Sequence, residues 1–341
     1  MKHKRVRPGG QAIRMMDVAR HAGVSSMTVS RALREPDKVS EESRRRIHAA
    51  ISEIGYLPNR LAGSLASNRS SVVGLIVPSI QNSLFANTIQ GISDVLRSSG
   101  FHLMIGDSGY SLAEEEALIS MLLAQRVSGL VLHNTRHTAR ARWLIQEGHI
   151  PTVETGNLAH QPLDMSVSYS NYAAAKAMTL HLARRGYRTI GLVSLPAKDN
   201  DRAKQRRRGH FAALEEVGLT ADPALALEVA PGLATGAEAL VHLVKANPKI
   251  DAVFFAGDVL AVGAILECQR RGWAVPSRIA IATFDDLDLL QHIVPAVTTV
   301  RIPRYEIGRR SAEVLLDRIT GKMNERLCVD LGFEIVQRES T

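Results

Sequence analysis

Cysteine is nearly absent from this chain. Cys268 and Cys328 are the two in 341 residues, too few for a disulfide framework or a zinc cluster. That usage fits a reducing compartment, and a cytoplasmic location is expected. Aromatic residues make up 4% of the sequence, which argues against a pocket that sandwiches a flat base between rings. No apolar run is long enough to span a bilayer, so no membrane partner is expected. The basic start MKHKRVRPGGQ lacks a following apolar stretch, so no signal peptide is expected. Catalytic signatures are missing as well: there is no G-x-G-x-x-G, P-loop, H-E-x-x-H or G-x-S-x-G. GDSG at 106–109 reads as a turn after a strand, and the 12 histidines are scattered without metal-ligand pairing. Asp285 and Asp286 are adjacent on an expected strand and so point to opposite faces. No catalytic residue, metal or cofactor is expected.

What is present is charge of one sign, in one place. Residues 1–70 hold 14 Lys and Arg against 6 Asp and Glu, a net of +8. The whole chain is also +8, so residues 71–341 carry 28 of each sign and sum to zero. A polyanion, nucleic acid above all, should meet the N-terminal fifth. Residues 1–14 read as a disordered basic tail, but the arginines continue through patterned sequence as far as Arg69.

Within 15–57 three helices are expected. Met15, Val18, Ala19 and Ala22 recur at helical spacing, and Gly23 ends that helix. Ser25 caps a second helix that hides Val29, Ala32 and Leu33 and shows Ser26, Met27, Ser30 and Arg31. Ser40 caps a third, about 41–54, which supplies Ile47, Ile51 and Ile54. Two short helices joined through a glycine turn make a helix-turn-helix candidate. The pattern alone fits a generic three-helix bundle as well; the charge excess tips it toward DNA, with short polar side chains and Arg for base edges and phosphates and Met27 for a thymine methyl. In residues 58–70, PNRLAGSLAS places apolar residues at 61, 62, 65 and 66, more than a plain linker needs. A helix that short is marginal alone in water, so it is expected to order on DNA.

From residue 71 short β-rich runs alternate with amphipathic helical stretches. The runs are VVGLIVP (72–78), HLMIGDS (102–108), SGLVLHN (128–134), PTVET (151–155), TIGLVSL (189–195), AVFFAG (252–257) and IAIATFD (279–285). Helices are expected at 83–98, 112–126, 173–185 and 258–271, with Ser111 and Glu114 opening one of them. The alternation predicts parallel sheets covered on both faces, and the length suits two of them. The stretch 156–170 reads as lying between the two halves. Ligands in such sheets sit beyond the C-terminal strand ends, which here offer Asn82, Ser83 and Phe85, then Asn134, Arg136, Glu154, Asp258 and Asp285.

MDVARHAGVSSMTVSRAL, with KVSEESRRRIHAAISEIGYLPNRLAGSLAS after it, resembles the DNA-binding headpiece of the lactose/galactose repressor family over about residues 15–69. The pieces DVA, AGVS, TVSR, GY-x-PNR and A-x-x-L stand at that family's spacing. The resemblance implies Ser26, Met27 and Arg31 as base readers. It implies Ser25, Thr28, Ser30, Lys38 and Asn59 as phosphate contacts. It further implies that Arg60 and Leu65 belong to a hinge helix whose leucine would wedge into the minor groove. Arg14 stands where the family usually has a Thr cap, leaving either no cap or a further phosphate contact.

For 71–341 the resemblance implies an α/β core like a periplasmic binding protein, with two Rossmann-like subdomains joined by crossover strands. The first would take about 71–168 and 301–325, the second about 169–300 and 326–341. Arg206 and Asp285 match the family's effector arginine and carboxylate, and Gly257 stands where many members have Asn. VPSIQNSLFANTIQGI, RHT at 136–138 and VDLGFEI resemble the gluconate and 2-ketogluconate repressors. The effector set is then Asn82, Ser83, Phe85, Arg136, His137, Arg206 and Asp285, although His137 also fits an ordinary loop histidine. The implied protein is a homodimeric repressor on double-stranded, pseudo-palindromic operator DNA, with a sugar acid that lowers its operator affinity. The alternative is a cytoplasmic sugar-binding or sugar-processing protein with an incidental basic N-terminus.

Overall fold

The computed structural model describes residues 13–56, 70–159 and 161–341. The expected basic tail up to residue 12, most of the hinge segment 58–70, and the sites Asn59, Arg60 and Leu65 lie outside the described residues. The chain divides into two compact units, Met1–Ser70 and Ser71–Thr341.

The first unit holds α1 (Met15–Ala22), α2 (Ser26–Arg34) and α3 (Glu41–Ile54). Its core is small: Val18, Ala19, Ala22, Val29, Ala32, Ile47, Ala50 and Tyr56 are buried, with Val24, Leu33, Ile51 and Ile54 packed at its margin. Four of the eight buried residues are alanines, which allows the helices to cross closely. Gly23 ends α1 at φ +64°, in the left-handed region that favours glycine. The orphan carbonyls there are taken by Arg46 of α3, whose Nη2 donates to Ala22 O at 2.5 Å and Gly23 O at 3.3 Å. A Cβ on Gly23 would stand 2.5 Å from that nitrogen. The turn therefore favours glycine for its backbone angle.

The second unit begins with β1 (Val72–Val77), α4 (Ala86–Ser98), β2 (His102–Asp107), α5 (Leu112–Ala124), β3 (Gly129–Leu132), α6 (Ala139–Glu147), β4 (Thr152–Glu154) and β5 (Met165–Ser168). There follow α7 (Asn171–Arg184), β6 (Ile190–Ser194), α8 (Asp201–Glu216), β7 (Ala226–Glu228), α9 (Leu233–Ala246), β8 (Ala252–Phe255), α10 (Asp258–Arg271) and β9 (Ala280–Phe284). The unit closes with β10 (Thr298–Arg301), α11 (Arg304–Ile319), β11 (Leu327–Asp330) and β12 (Glu334–Val336). Two six-stranded sheets result, ordered β11-β5-β4-β3-β1-β2 and β12-β10-β9-β8-β6-β7. Every pairing is parallel except β10 with β12. All residues of β3, β6, β8 and β9 are buried. Helices cover both faces of such strands, which is why they read as continuous apolar runs rather than alternating ones.

The chain passes between the two lobes three times: after β5, after β10 and after β11. Two expectations change here. The stretch 156–170 is not simply a boundary, because it contains β5, which pairs with β4 inside the first sheet. Residues 326–330 do not belong to the second lobe, because β11 lies against β5 in register Leu327↔Met165. The second lobe resumes at β12. Among the described residues no helix is long and apolar enough to cross a membrane.

Candidate functional site

The exposed face of α2 is built from its cap outward. Ser25 Oγ accepts from Thr28 N at 3.1 Å and lies 2.8 Å from Thr28 Oγ1, so the two hydroxyls fix the helix start. Arg14 gives α1 no side-chain cap; instead Asp17 Oδ2 accepts from the Arg14 N–H at 2.9 Å. Along α2, Ser26, Thr28 and Ser30 are half-buried while Met27 and Arg31 are exposed. Met27 is 71% exposed, an apolar side chain that contributes nothing to the small core. Lys38 Nζ lies 3.1 Å from Glu35 Oε2, both on the surface; exposed pairs of this kind hold weakly and exchange readily.

The second candidate site lies in the core unit, where the C-terminal strand ends of the two lobes face each other. An inner cavity of about 50 Å³ is lined by Asn82, Phe85, Tyr110 and His133 from the first lobe. Arg202, Arg206, Gly257, Asp258 and Asp285 line it from the second, and Arg304 from the start of α11 after a crossover. It continues into a mouth of about 230 Å³ past Ser79, Tyr110, Leu195 and Pro231. Arg206 is held on every side. Its Nε donates to Asn171 Oδ1 at 2.8 Å, its Nη1 to Ala256 O at 2.9 Å, and its Nη2 stands 3.7 Å from Asp285 Oδ2. The guanidinium carbon lies 3.5 Å from the Phe284 ring centroid, a cation–π contact. Asp285 Oδ1 accepts from Arg304 Nε at 3.0 Å and also from Arg304 Nη2. Burial opposes the Arg304 charge, but the Asp285 carboxylate more than offsets it and raises the pKa above its usual value. Asp285 adopts φ +75°, uncommon for a residue with a side chain.

Asp258, the first residue of α10, is 3% exposed. Its Oδ1 accepts from Val259 N at 2.8 Å, and its Oδ2 has no partner. Burial first, and then the Asp285 charge, push its pKa up to about 6. His133 is kept well below the ordinary histidine value by burial and by Arg202, Arg304 and Arg206 around it, so it is neutral. Its ring stands edge-on to Phe85 at 4.7 Å, and its carbonyl accepts from Arg202 Nη1 at 2.7 Å across the lobes. Thr135 of the first lobe donates to Asp201 Oδ2 of the second beside it.

Of the expected effector residues, Asn82, Phe85, Arg206 and Asp285 come together at the inner cavity. Ser83 lines an adjoining outer cavity of about 550 Å³ instead. Arg136 is exposed and does not line the inner cavity. His137 is turned away altogether: Nδ1 lies 2.6 Å from Glu115 Oε1 and Nε2 3.2 Å from Glu154 Oε1, in the interior of the first lobe. Burial alone would lower its pKa, but the two glutamates overcome that and raise it to about 9. The buried carboxylates of α5 and β4 compete for this imidazole, and they win it from the cleft. His133, Arg202 and Arg304 escaped the sequence reading, since only the crossovers bring positions so far apart in the chain to one cavity.

Residues 14–59 match the bacterial regulatory proteins of the lacI family, and residues 179–341 match a periplasmic binding protein-like domain. The chain is 40% identical over 328 residues to the HTH-type transcriptional regulator GntR of Pseudomonas aeruginosa, covering 95% of this chain and 94% of that one. It is 34% identical over 326 residues to the HTH-type transcriptional regulator IdnR of Escherichia coli, covering 95% and 97%. A solved structure of a LacI-family transcriptional regulator from Silicibacter pomeroyi superposes with a TM-score of 0.89 at 31% identity, over 96% of this chain and 99% of that one.

Proposed function

We infer the function from one premise: this chain belongs to the lacI family of bacterial regulatory proteins and is a DNA-binding transcriptional repressor, not an enzyme. It acts as a homodimer on a pseudo-palindromic operator. Each headpiece sets α2 in a major groove, with Ser26, Met27 and Arg31 at base edges. Ser25, Thr28, Ser30, Lys38 and Asn59 hold phosphates, and Arg60 and Leu65 engage the minor groove at the centre. The exposure of Met27 on α2 supports this assignment, because it leaves the side chain free to meet a thymine methyl.

The effector is a sugar acid of the gluconate or 2-ketogluconate type, and it lowers operator affinity by settling between the lobes. One observation carries this reading. The inner cavity is lined by three arginines, Arg202, Arg206 and Arg304, with Asp258 and Asp285; Arg202 is paired with Asp201 at 3.2 Å, while Arg206 and Arg304 share Asp285. Two guanidiniums that share one carboxylate favour a second anion beside them, and a guanidinium receives a carboxylate in bidentate fashion. A calorimetric comparison of gluconate and 2-ketogluconate with the neutral sugar glucose tests it. Heat from either acid and none from glucose is expected; preference for glucose refutes the anionic effector. An electrophoretic shift with palindromic DNA at two salt concentrations tests the other end. Sequence-specific binding that weakens with salt is expected.

A further inference from the structure

The loop that joins β3 to α6, residues 133–138, is fastened at both ends, and to different parts of the molecule. Its root lies inside the first lobe. His137 has a fully buried side chain between Glu115 of α5 at 2.6 Å and Glu154 of β4 at 3.2 Å. Glu154 Oε2 also accepts from Leu163 N at 2.6 Å, and Thr138 Oγ1 donates to Glu116 Oε2. An apolar side chain would fill the place of His137 without taking three ionisable groups out of water. What the ionic cluster supplies is a position: two acceptors on two elements aim the imidazole, and with it the loop, one way.

The tip of the loop reaches the second lobe. His133 O accepts from Arg202 Nη1 at 2.7 Å, and Thr135 Oγ1 donates to Asp201 Oδ2. Between tip and root, Asn134 Oδ1 accepts from the backbone N–H of Thr135 at 3.1 Å and of Arg136 at 3.4 Å, which stiffens the turn. Asp201 and Arg202 open α8, and both are buried. Arg206 follows Arg202 by four residues, one turn along the same face of that helix. His137 does not line the inner cavity, yet it is joined to the cavity's Arg206 by the loop, two bonds across the lobes and one helical turn.

We propose that His137 is a positioning residue for the effector response: from between Glu115 and Glu154 it sets the loop so that His133 and Thr135 grip the start of α8 and hold Arg206 in place. The link to the effector rests on the sugar-acid reading above; the grip between the lobes does not. The charge of the imidazole matters to the grip. From α5 the ring faces Glu115, and from β4 it faces Glu154. Glu116 of α5 and Arg140 of α6, 3.6 Å apart, lie one bond further, beyond Thr138. Burial lowers the pKa of the ring, but the two glutamates raise it to about 9. A neutral imidazole has one N–H, so above that pH one of the two carboxylates loses its donor and the root loosens.

The test is a double-mutant cycle in the full-length chain with His137→Gln at the root, Asp201→Ala at the tip, and both together. Should His137→Gln fail to fold, Glu115→Gln takes its place. The first readout is the thermal midpoint of the core at neutral pH without ligand. Each single variant should lose several degrees, and the double variant clearly less than their sum, because either change already loosens the grip. Losses that simply add show a root that serves the first lobe alone, and overturn the proposal. The second readout is gluconate affinity by calorimetry. His137→Gln should weaken it about threefold to thirtyfold without touching the ligand. Wild-type affinity should fall as pH rises through about 9, and that fall should be absent in His137→Gln. Unchanged gluconate affinity in His137→Gln also overturns the proposal. Absence of gluconate binding by the wild-type chain is a different failure: it overturns the sugar-acid reading, and the midpoint cycle still decides the grip.

Discussion

Single side chains divide this protein's work between stability and recognition. Arg31 is exposed on α2 and serves no core. Arg31→Ala should therefore cost about 1–3 kcal/mol at the operator and leave the thermal midpoint of the protein in place, as operator titration and melting together would show. His137 is the opposite case, a charged group wholly inside the first lobe between Glu115 and Glu154. Its folded pKa, about 9, lies above the ordinary value of 6.5. The stability it gives is complete below about pH 6.5 and is lost as pH rises through 9, an effect on the order of 3 kcal/mol. The wild type should melt progressively earlier between pH 7 and 10, and His137→Gln should flatten that slope. A slope unchanged in the variant would show that another group titrates. Asp258 opposes stability: with its pKa raised to about 6, ionisation at neutral pH costs the fold on the order of 2–3 kcal/mol. That cost fades as pH falls from 6 toward the unfolded value.

At the scale of elements, close helix crossings hold each lobe to its sheet. A Cβ on Gly91 of α4 would stand 2.2 Å from the Tyr305 carbonyl of α11, and one on Gly308 would stand 2.1 Å from the Thr88 carbonyl. Backbone meets backbone there, so Gly91→Ala forces the helices apart. It should destabilise the core by about 1–3 kcal/mol, readable as a lowered core transition in calorimetry. The sequence reveals some elements and hides others for physical reasons. Runs such as VVGLIV and AVFF are legible as strands because burial on both faces makes them continuously apolar. β5 (MSVS), β7 (ALE) and β10 (TTVR) are three or four residues long and rich in hydroxyl, small or charged side chains, so no pattern marks them. β11 is hidden differently: its membership of the first sheet depends on pairing with a strand about 160 residues earlier. The site follows the same division. Family resemblance points to Arg206 and Asp285, which do meet at the cavity, but Arg304 comes there only by a crossover and His137 is drawn off by two glutamates that no local motif announces.

Across the whole molecule, all excess positive charge lies in residues 1–70, and the remainder is neutral. The N-terminal unit thus carries the attraction for a polyanion, and under the proposed function the core cavity receives a small anion at Arg206 and Arg304, which share Asp285. If the two sites are coupled, each ligand must weaken the other by the same factor. Arg206→Ala should abolish the response to the acid while the operator is still bound, giving a repressor that cannot be induced. The most direct measurement is the operator dissociation constant of the full-length chain, followed by fluorescence anisotropy at fixed salt as gluconate or 2-ketogluconate is titrated in. The account predicts that the constant rises with the acid and levels off once the cleft is saturated, with glucose having no effect. Operator affinity that stays constant, or tightens, as either acid fills the cleft would contradict it.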